Sequence, residues 1–160
     1  MIAGVGASRS SRGFTLVELV MVLVLVSALA VFAAPRLSGF SEFNARGFHD
    51  EALALLRHAQ KSAVAQRRPV CVVFGSNSMS LGVDADRDSG TGTNGCEASL
   101  AGPRGETPAA IAARGSVQFA TTPPPLVFDA QGRPSAGMTV QVAGAARLVT
   151  VEAGTGYVHD

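Results

Sequence analysis

Residues 13–34 read GFTLVELVMVLVLVSALAVFAA, an apolar run whose one charge is Glu18. About 20 apolar residues in a helix cross the hydrocarbon core of a bilayer, so Phe14 to Ala34 has the length of a membrane span. The preceding residues, MIAGVGASRSSRG, carry Arg9 and Arg12 and no acid, while the sequence after the run mixes Arg36, Arg46 and His49 with Glu42, Asp50 and Glu51. The excess of cations before the run places the amino terminus in the cytoplasm. A conventional secretory signal is the competing reading, with Ala28, Ala30, Ala33 and Ala34 as its small residues. Against it stand the length of the run, Pro35 directly after the most natural cut site, and the acid inside the run.

The rest of the composition fits one small exported domain. The chain has 160 residues, 47% hydrophobic and 16% charged, and its mean hydropathy of +0.27 is raised mainly by the amino-terminal run. Eighteen glycines, eight prolines and two cysteines exclude collagen-like and disulfide-dense classes, and the large apolar fraction excludes a disordered chain. A formal charge of +1 excludes a strongly basic nucleic-acid binder as the default.

A carboxylate within an apolar membrane segment costs a few kcal/mol unless it is paired, neutralised or held near the interface. Glu18 therefore needs a partner. Cleavage between Gly13 and Phe14 would create one, an α-amino group one helical turn away, on the same chain or on a neighbour. In the second case Glu18 registers one subunit against the next.

The stretch Gly13-Phe14-Thr15-Leu16-Val17-Glu18-Leu19 resembles the class III leader junction of type IV pilins and type II secretion pseudopilins. The resemblance implies cleavage after Gly13 by a prepilin peptidase, N-methylation of Phe14, and use of Glu18 in helix pairing during assembly. Loss of residues 1–13 removes two cations and no acid, taking the formal charge to −1. The same resemblance implies a single-pass protein of a bacterial inner membrane, with its carboxyl-terminal head in the periplasm, that passes from membrane lipid into a pilus or pseudopilus. Its partners would be the peptidase, the major pilin or pseudopilin, other minor pilins and the inner-membrane assembly platform.

Beyond Pro35, RLSGFSEFNARGFHDEALALLRHAQKSAVAQRR consists mostly of good helix formers, and Phe48, Ala52, Leu55 or Leu56, Ala59 and Ala63 recur at helical spacing. An amphipathic helix over 35–68 is expected, with kinks or partial melting at Pro35, Gly39 and Gly47 and with Pro69 stopping it. From residue 70 the period changes to short alternating or β-branched runs: Val70–Phe74, Met79–Val83, Ser116–Ala120, Leu126–Asp129, Met138–Val142 and Arg147–Glu152. A last short strand follows the turn at Thr155-Gly156-Tyr157, with Tyr157 expected to pack. The chain thus divides into a leader (1–13), a membrane or fibre-core helix (14–34), its amphipathic continuation (35–68) and a β-rich periplasmic head (69–160). The fold class is α+β, a long helix packed on a mainly antiparallel sheet.

The head segments Phe48–Val72, Phe128-Asp129-Ala130-Gln131-Gly132-Arg133-Pro134 and Val149–Val158 are similar to the GspH/FimT branch of the pilin superfamily. The cysteine following Arg67-Arg68-Pro69-Val70 adds a likeness to minor pilins of mannose-sensitive haemagglutinin type pili. The resemblance implies a non-catalytic structural subunit that helps initiate or cap a type IV pilus or a type II secretion pseudopilus. The alternative is a FimT-like minor pilin that binds DNA for uptake. It lacks a basic carboxyl-terminal tail here, and Arg133 and Arg147 are isolated, so nucleic acid is not an expected partner.

Cys71 and Cys96 allow one intrachain disulfide, favoured in an oxidising compartment; two unpaired thiols are the alternative. Asp84, Asp86 and Asp88 stand at alternate positions before Gly90, a spacing able to wrap oxygen ligands around calcium. Measured against an EF-hand loop, Ser89 stands where glycine is wanted and Gly95 where the bidentate acid belongs, so a solvated acidic turn is the stronger reading. His49 and His58 lack metal-protease spacing, and with His159 they are expected at the surface. No phosphate loop or nucleophile elbow is present, so neither an enzyme nor a cofactor is expected.

Overall fold

The structure, a computed structural model, describes residues 14–85 and 96–160, with the side chains of 31–40 outside the description. The leader (1–13) and the acidic stretch 86–95 therefore lie outside it. The chain divides into two compact units, Met1–Ser38 and Gly39–Asp160.

Helix α1 runs from Leu16 to Gln66, its backbone helical through Pro35. Thr15 opens it: its Oγ1 accepts the Glu18 N–H at 3.3 Å, and its carbonyl accepts the Leu19 N–H at 3.1 Å. A threonine N-cap with glutamate at the third helical position is the capping-box pattern, and the acid lies where the helix dipole favours it. At the other end Arg67 takes φ +51°. Its N–H donates to the Val64 carbonyl and that of Arg68 to the Ala63 carbonyl, at 3.3 and 3.2 Å. That pair of bonds is a Schellman stop, just before the proline that could not continue the helix.

The head holds two antiparallel sheets. In the first, β1 (Val70–Phe74) lies between β2 (Ser78–Val83) and β5 (Leu126–Phe128). The far edge of β2 takes two short strands in succession, β3 (Ala98–Ser99) against Gly82 and Val83, and β4 (Ala110–Ala112) against Ser78 to Ser80. The second sheet is β6 (Met138–Gln141), β7 (Leu148–Val151) and β8 (Val158–His159) in sequence order.

One core joins helix and sheets. Phe48, Ala52, Leu55, Leu56, Ala59 and Ala63, the face read from helical spacing, are all buried, together with Val70, Val72, Leu81, Leu126, Phe128, Val140, Val149 and Val151. Phe119 sits between Phe48 and Phe74, its ring centroid 5.0 and 5.7 Å from theirs. The fold is thus α+β with the helix on antiparallel sheet, as expected.

The expected strand Ser116–Ala120 does not form. Gly115 turns the chain at φ +66°; then the Phe119 N–H donates to Ser76 O beside the first sheet and the Ala120 N–H to Gln141 O in the second. The segment crosses between sheets, so it cannot ladder along either. Conversely β3 and β4 are built from Ala, Ser and Ile without clear alternation and were not foreseen. Asp129 leaves β5 because its own side chain closes the following turn.

Candidate functional site

The first candidate site is the start of α1. Gly13 lies outside the described residues; Phe14 and Glu18 are described and exposed, Phe14 at 82%. From Leu16 to Leu29 the large apolar side chains are exposed on every side of the helix. A helix apolar all round is one that something else must cover. Ser27 satisfies its hydroxyl internally, donating to Leu23 O at 2.6 Å or to Val24 O at 3.0 Å, as suits a helix away from water. Glu18 uses its N–H in the cap, and its carboxylate makes no hydrogen bond or ion pair among the described residues. Thr15 was overlooked as a functional neighbour, although the Thr15-x-x-Glu18 pattern carries the signal. Among the described residues no helix is long and apolar enough to cross a membrane. The run expected to do so continues past Ala30 into residues whose side chains lie outside the description.

The second is the disulfide. Cys71 and Cys96 are bonded, with Cα atoms 6.0 Å apart. Gly82 faces Cys71 across the β1–β2 ladder. A β-carbon there would lie 3.1 Å from Cys96 Cβ and 3.2 Å from its carbonyl, so glycine leaves the room in which the bridge crosses.

The calcium candidate is divided. Asp84 directly follows β2, is buried at 1% exposure and donates its N–H to Pro69 O at 3.0 Å; Asp86 and Asp88 lie outside the described residues. Among the described residues no three His, Cys, Asp or Glu side chains gather as metal ligands.

The histidines depart from expectation. His58 and His159 are partly exposed, but His49 is buried at 3%, its Nδ1 3.1 Å from Asp50 Oδ1. It follows Phe48 on the core side of α1, which helical spacing alone could have shown. Tyr157 is 60% exposed and stacks on His159 at 5.3 Å instead of entering the core.

Two segments singled out in the sequence meet at one side chain. Gln60 Nε2 donates to Gly132 O at 3.3 Å and to Thr155 O at 3.0 Å, tying the turn 129–133 and the turn 153–156 to α1. Arg57 Nε donates to Val158 O at 3.0 Å beside them.

The family model for the type II transport protein GspH matches residues 50–155, and that for the prokaryotic N-terminal methylation motif matches residues 8–34. The chain belongs to the GspH family. It carries with it the type IV pilin and pseudopilin superfamily, whose leader motif stands directly ahead of the GspH domain. Among solved structures, the type IV minor pilin FimU of Pseudomonas aeruginosa strain PAO1 is similar at 14% identity. That match covers 76% of this GspH-family chain and 88% of the other, with a TM-score of 0.46. No curated protein matches the sequence.

Proposed function

We propose that the chain is a minor pilin or pseudopilin, a non-catalytic subunit that helps initiate or cap a type IV pilus or a type II secretion pseudopilus. The observation that carries this reading is the methylation motif, with Gly13, Phe14 and Glu18 in place, joined to a GspH domain. In this reading residues 1–13 are removed by a prepilin peptidase and Phe14 is N-methylated. Residues 14–34 hold the chain in the inner membrane with its start in the cytoplasm. Helix 35–68 and head 69–160 then stand in the periplasm. The apolar helix passes from lipid into contact with the major pilin or pseudopilin and other minor pilins, driven by the assembly platform. Glu18, with no partner of its own among the described residues, takes the α-amino group of a neighbouring Phe14. The minor pilin FimU among the similar structures agrees with this reading but does not carry it.

DNA binding gains no support, since the two isolated arginines considered for it are both engaged: Arg133 with Asp129 at 3.1 Å and Arg147 with Asp160 at 2.6 Å.

The test is to shear surface fibres from cells that make the protein and quantify it by mass spectrometry against the major pilin, reading its amino-terminal peptide in the same run. A small, reproducible ratio with methylated Phe14 first identifies a minor pilin of a surface fibre. Mature protein confined to the envelope identifies a pseudopilin or base-located initiator. An amino-terminal peptide that still contains residues 1–13 in both fractions rejects the reading.

A further inference from the structure

Gly47 stands in the interior of α1 for no reason that the chain itself supplies. Its φ is not positive, and a β-carbon there would meet no atom within 4 Å. Glycine weakens a helix interior relative to alanine, so its place here points to something that approaches from outside. The open space is a groove of about 230 Å³, bounded by Phe43, Gly47, Phe48 and Glu51 of α1, by Ala112 in β4 and by Arg114 just after it. Phe48 belongs to the core, but Phe43 is 73% exposed, an aromatic ring left in water beside an open slot.

The strand that borders the groove has a free edge. β4 pairs with β2 alone. Ala109 O accepts the Leu81 N–H at 2.9 Å, and the Ala113 N–H donates to Asn77 O at 2.8 Å. Ile111, midway between them and opposite Met79, faces β2 in the same phase. The N–H and carbonyl groups of Ala110 and Ala112 therefore point away from β2, and both residues are exposed. Ile111 and Ala113 pack toward the core. In a strand added at this edge, the residues level with Ile111 and Ala113 would turn their side chains to the same side, toward α1 and the groove.

The charges at the groove set the partner's chemistry. Glu51 and Arg114 make no hydrogen bond or ion pair among the described residues, with each other or with anything else. Whatever covers them must bring a cation and a carboxylate, because a charge shut off from water without a partner is costly. A second copy of the chain cannot supply these from a strand, since none of the described strands contains Asp, Glu, Lys or Arg. We propose that the groove takes an extended segment of another protein, added to the free edge of β4. An apolar side chain lies over Gly47, with a carboxylate at Arg114 and a cation at Glu51. The inference stands apart from the fibre reading, because it rests on the head alone.

The probes are two labelled peptides, acetyl-Lys-Thr-Leu-Thr-Asp-amide and acetyl-Asp-Thr-Leu-Thr-Lys-amide, whose three outer groups share one face when extended. Fluorescence anisotropy with the full chain in detergent micelles, against empty micelles, should show saturable binding of one order or the other, which also gives the strand direction. Gly47→Leu, which fills the groove with a good helix former, should weaken binding at least about tenfold, as should N-methylation of both threonine amides. Arg114→Glu should weaken it similarly and, unlike the parent, should prefer the peptide in which lysine replaces aspartate. That reversal cannot come from loss of fold. The proposal is overturned if neither order binds saturably, if Gly47→Leu or the methylated peptide binds like its parent, or if Arg114→Glu leaves the preference unchanged. Self-association of the chain that the peptide competes with and Gly47→Leu abolishes would also overturn it, by making a second copy the occupant.

Discussion

Arg67 is the one described residue other than glycine with positive φ, a region that costs an L side chain roughly 1–2 kcal/mol. Its position is the helix C′, where glycine is the usual solution, and its side chain is exposed and makes no hydrogen bond or ion pair among the described residues. Arg67→Gly should therefore raise head stability by about 0.5–1 kcal/mol after glycine's extra chain entropy is subtracted, read as a higher urea midpoint at unchanged slope. Asp129 stores stability in its charge. Burial pushes its carboxyl pKa up, but the N–H groups of Arg133 and Gln131, then the Arg133 guanidinium, outweigh that and hold it below the ordinary value. Oδ1 accepts those two N–H groups at 2.8 and 2.9 Å, and Oδ2 takes Arg133 Nε at 3.1 Å. A carboxyl with a folded pKa below its unfolded one contributes stability above the unfolded value, near pH 4, and loses it as pH falls through the folded value. Asp129→Asn should cost about 0.5–1 kcal/mol at pH 7, allowing for its partial exposure. Denaturant titrations should show the gap between the two proteins closing below pH 4; a gap independent of pH would remove charge as its cause.

At the scale of elements, the disulfide closes a separation of 25 residues, worth about 3 kcal/mol in the chain-entropy account. Cys96→Ser should lose about that much. Gly82→Ala should lose part of it by forcing Cys96 away from the β2 edge, so thiol titration of the unfolded, unreduced variant should reveal free cysteine that the parent lacks. Gln60 makes a second cross-element tie, and Gln60→Ala should cost about 1–2 kcal/mol because two turn carbonyls lose one donor group. These ties explain which parts of the head were legible. The buried face of α1 and strands β2, β5, β6 and β7 follow from periodicity because each buries one regular face, whereas β1, buried at Val70, Cys71 and Val72 in succession, follows from its β-branched run. The short β3 and β4 were not legible, since their pairing is imposed by the edge of β2 and by the chain returning through Cys96. Ser116–Ala120 has a strand's composition, yet its two hydrogen-bonding directions go to different sheets. The disulfide was readable from cysteine count and compartment.

For the whole molecule, the two compact units differ in where their apolar groups go. Every buried hydrophobic residue of the described core lies between Ala45 and Val158, inside the unit Gly39–Asp160. The large apolar side chains from Phe14 to Leu29 are exposed in the single chain. The head thus has its own hydrophobic driving force, while the amino-terminal helix has one only toward lipid or other subunits. Residues 39–160 alone, with the disulfide formed, should unfold in one cooperative step and stay soluble without detergent. Calorimetric and van't Hoff enthalpies that disagree would show that the head needs the first unit to fold. In the proposed function Glu18 serves assembly, and its carboxylate makes no hydrogen bond or ion pair among the described residues, so Glu18→Ala in the full chain should leave the head's melting temperature unchanged while lowering its recovery in sheared fibres or pseudopili by tenfold or more. A tenfold loss corresponds to about 1.4 kcal/mol of contact between subunits, within the range for a charge pair shielded from water. If recovery stayed at the parent level with the head equally stable, Glu18 would be a helix-capping residue alone, and the pairing with a neighbouring Phe14 would have to be given up.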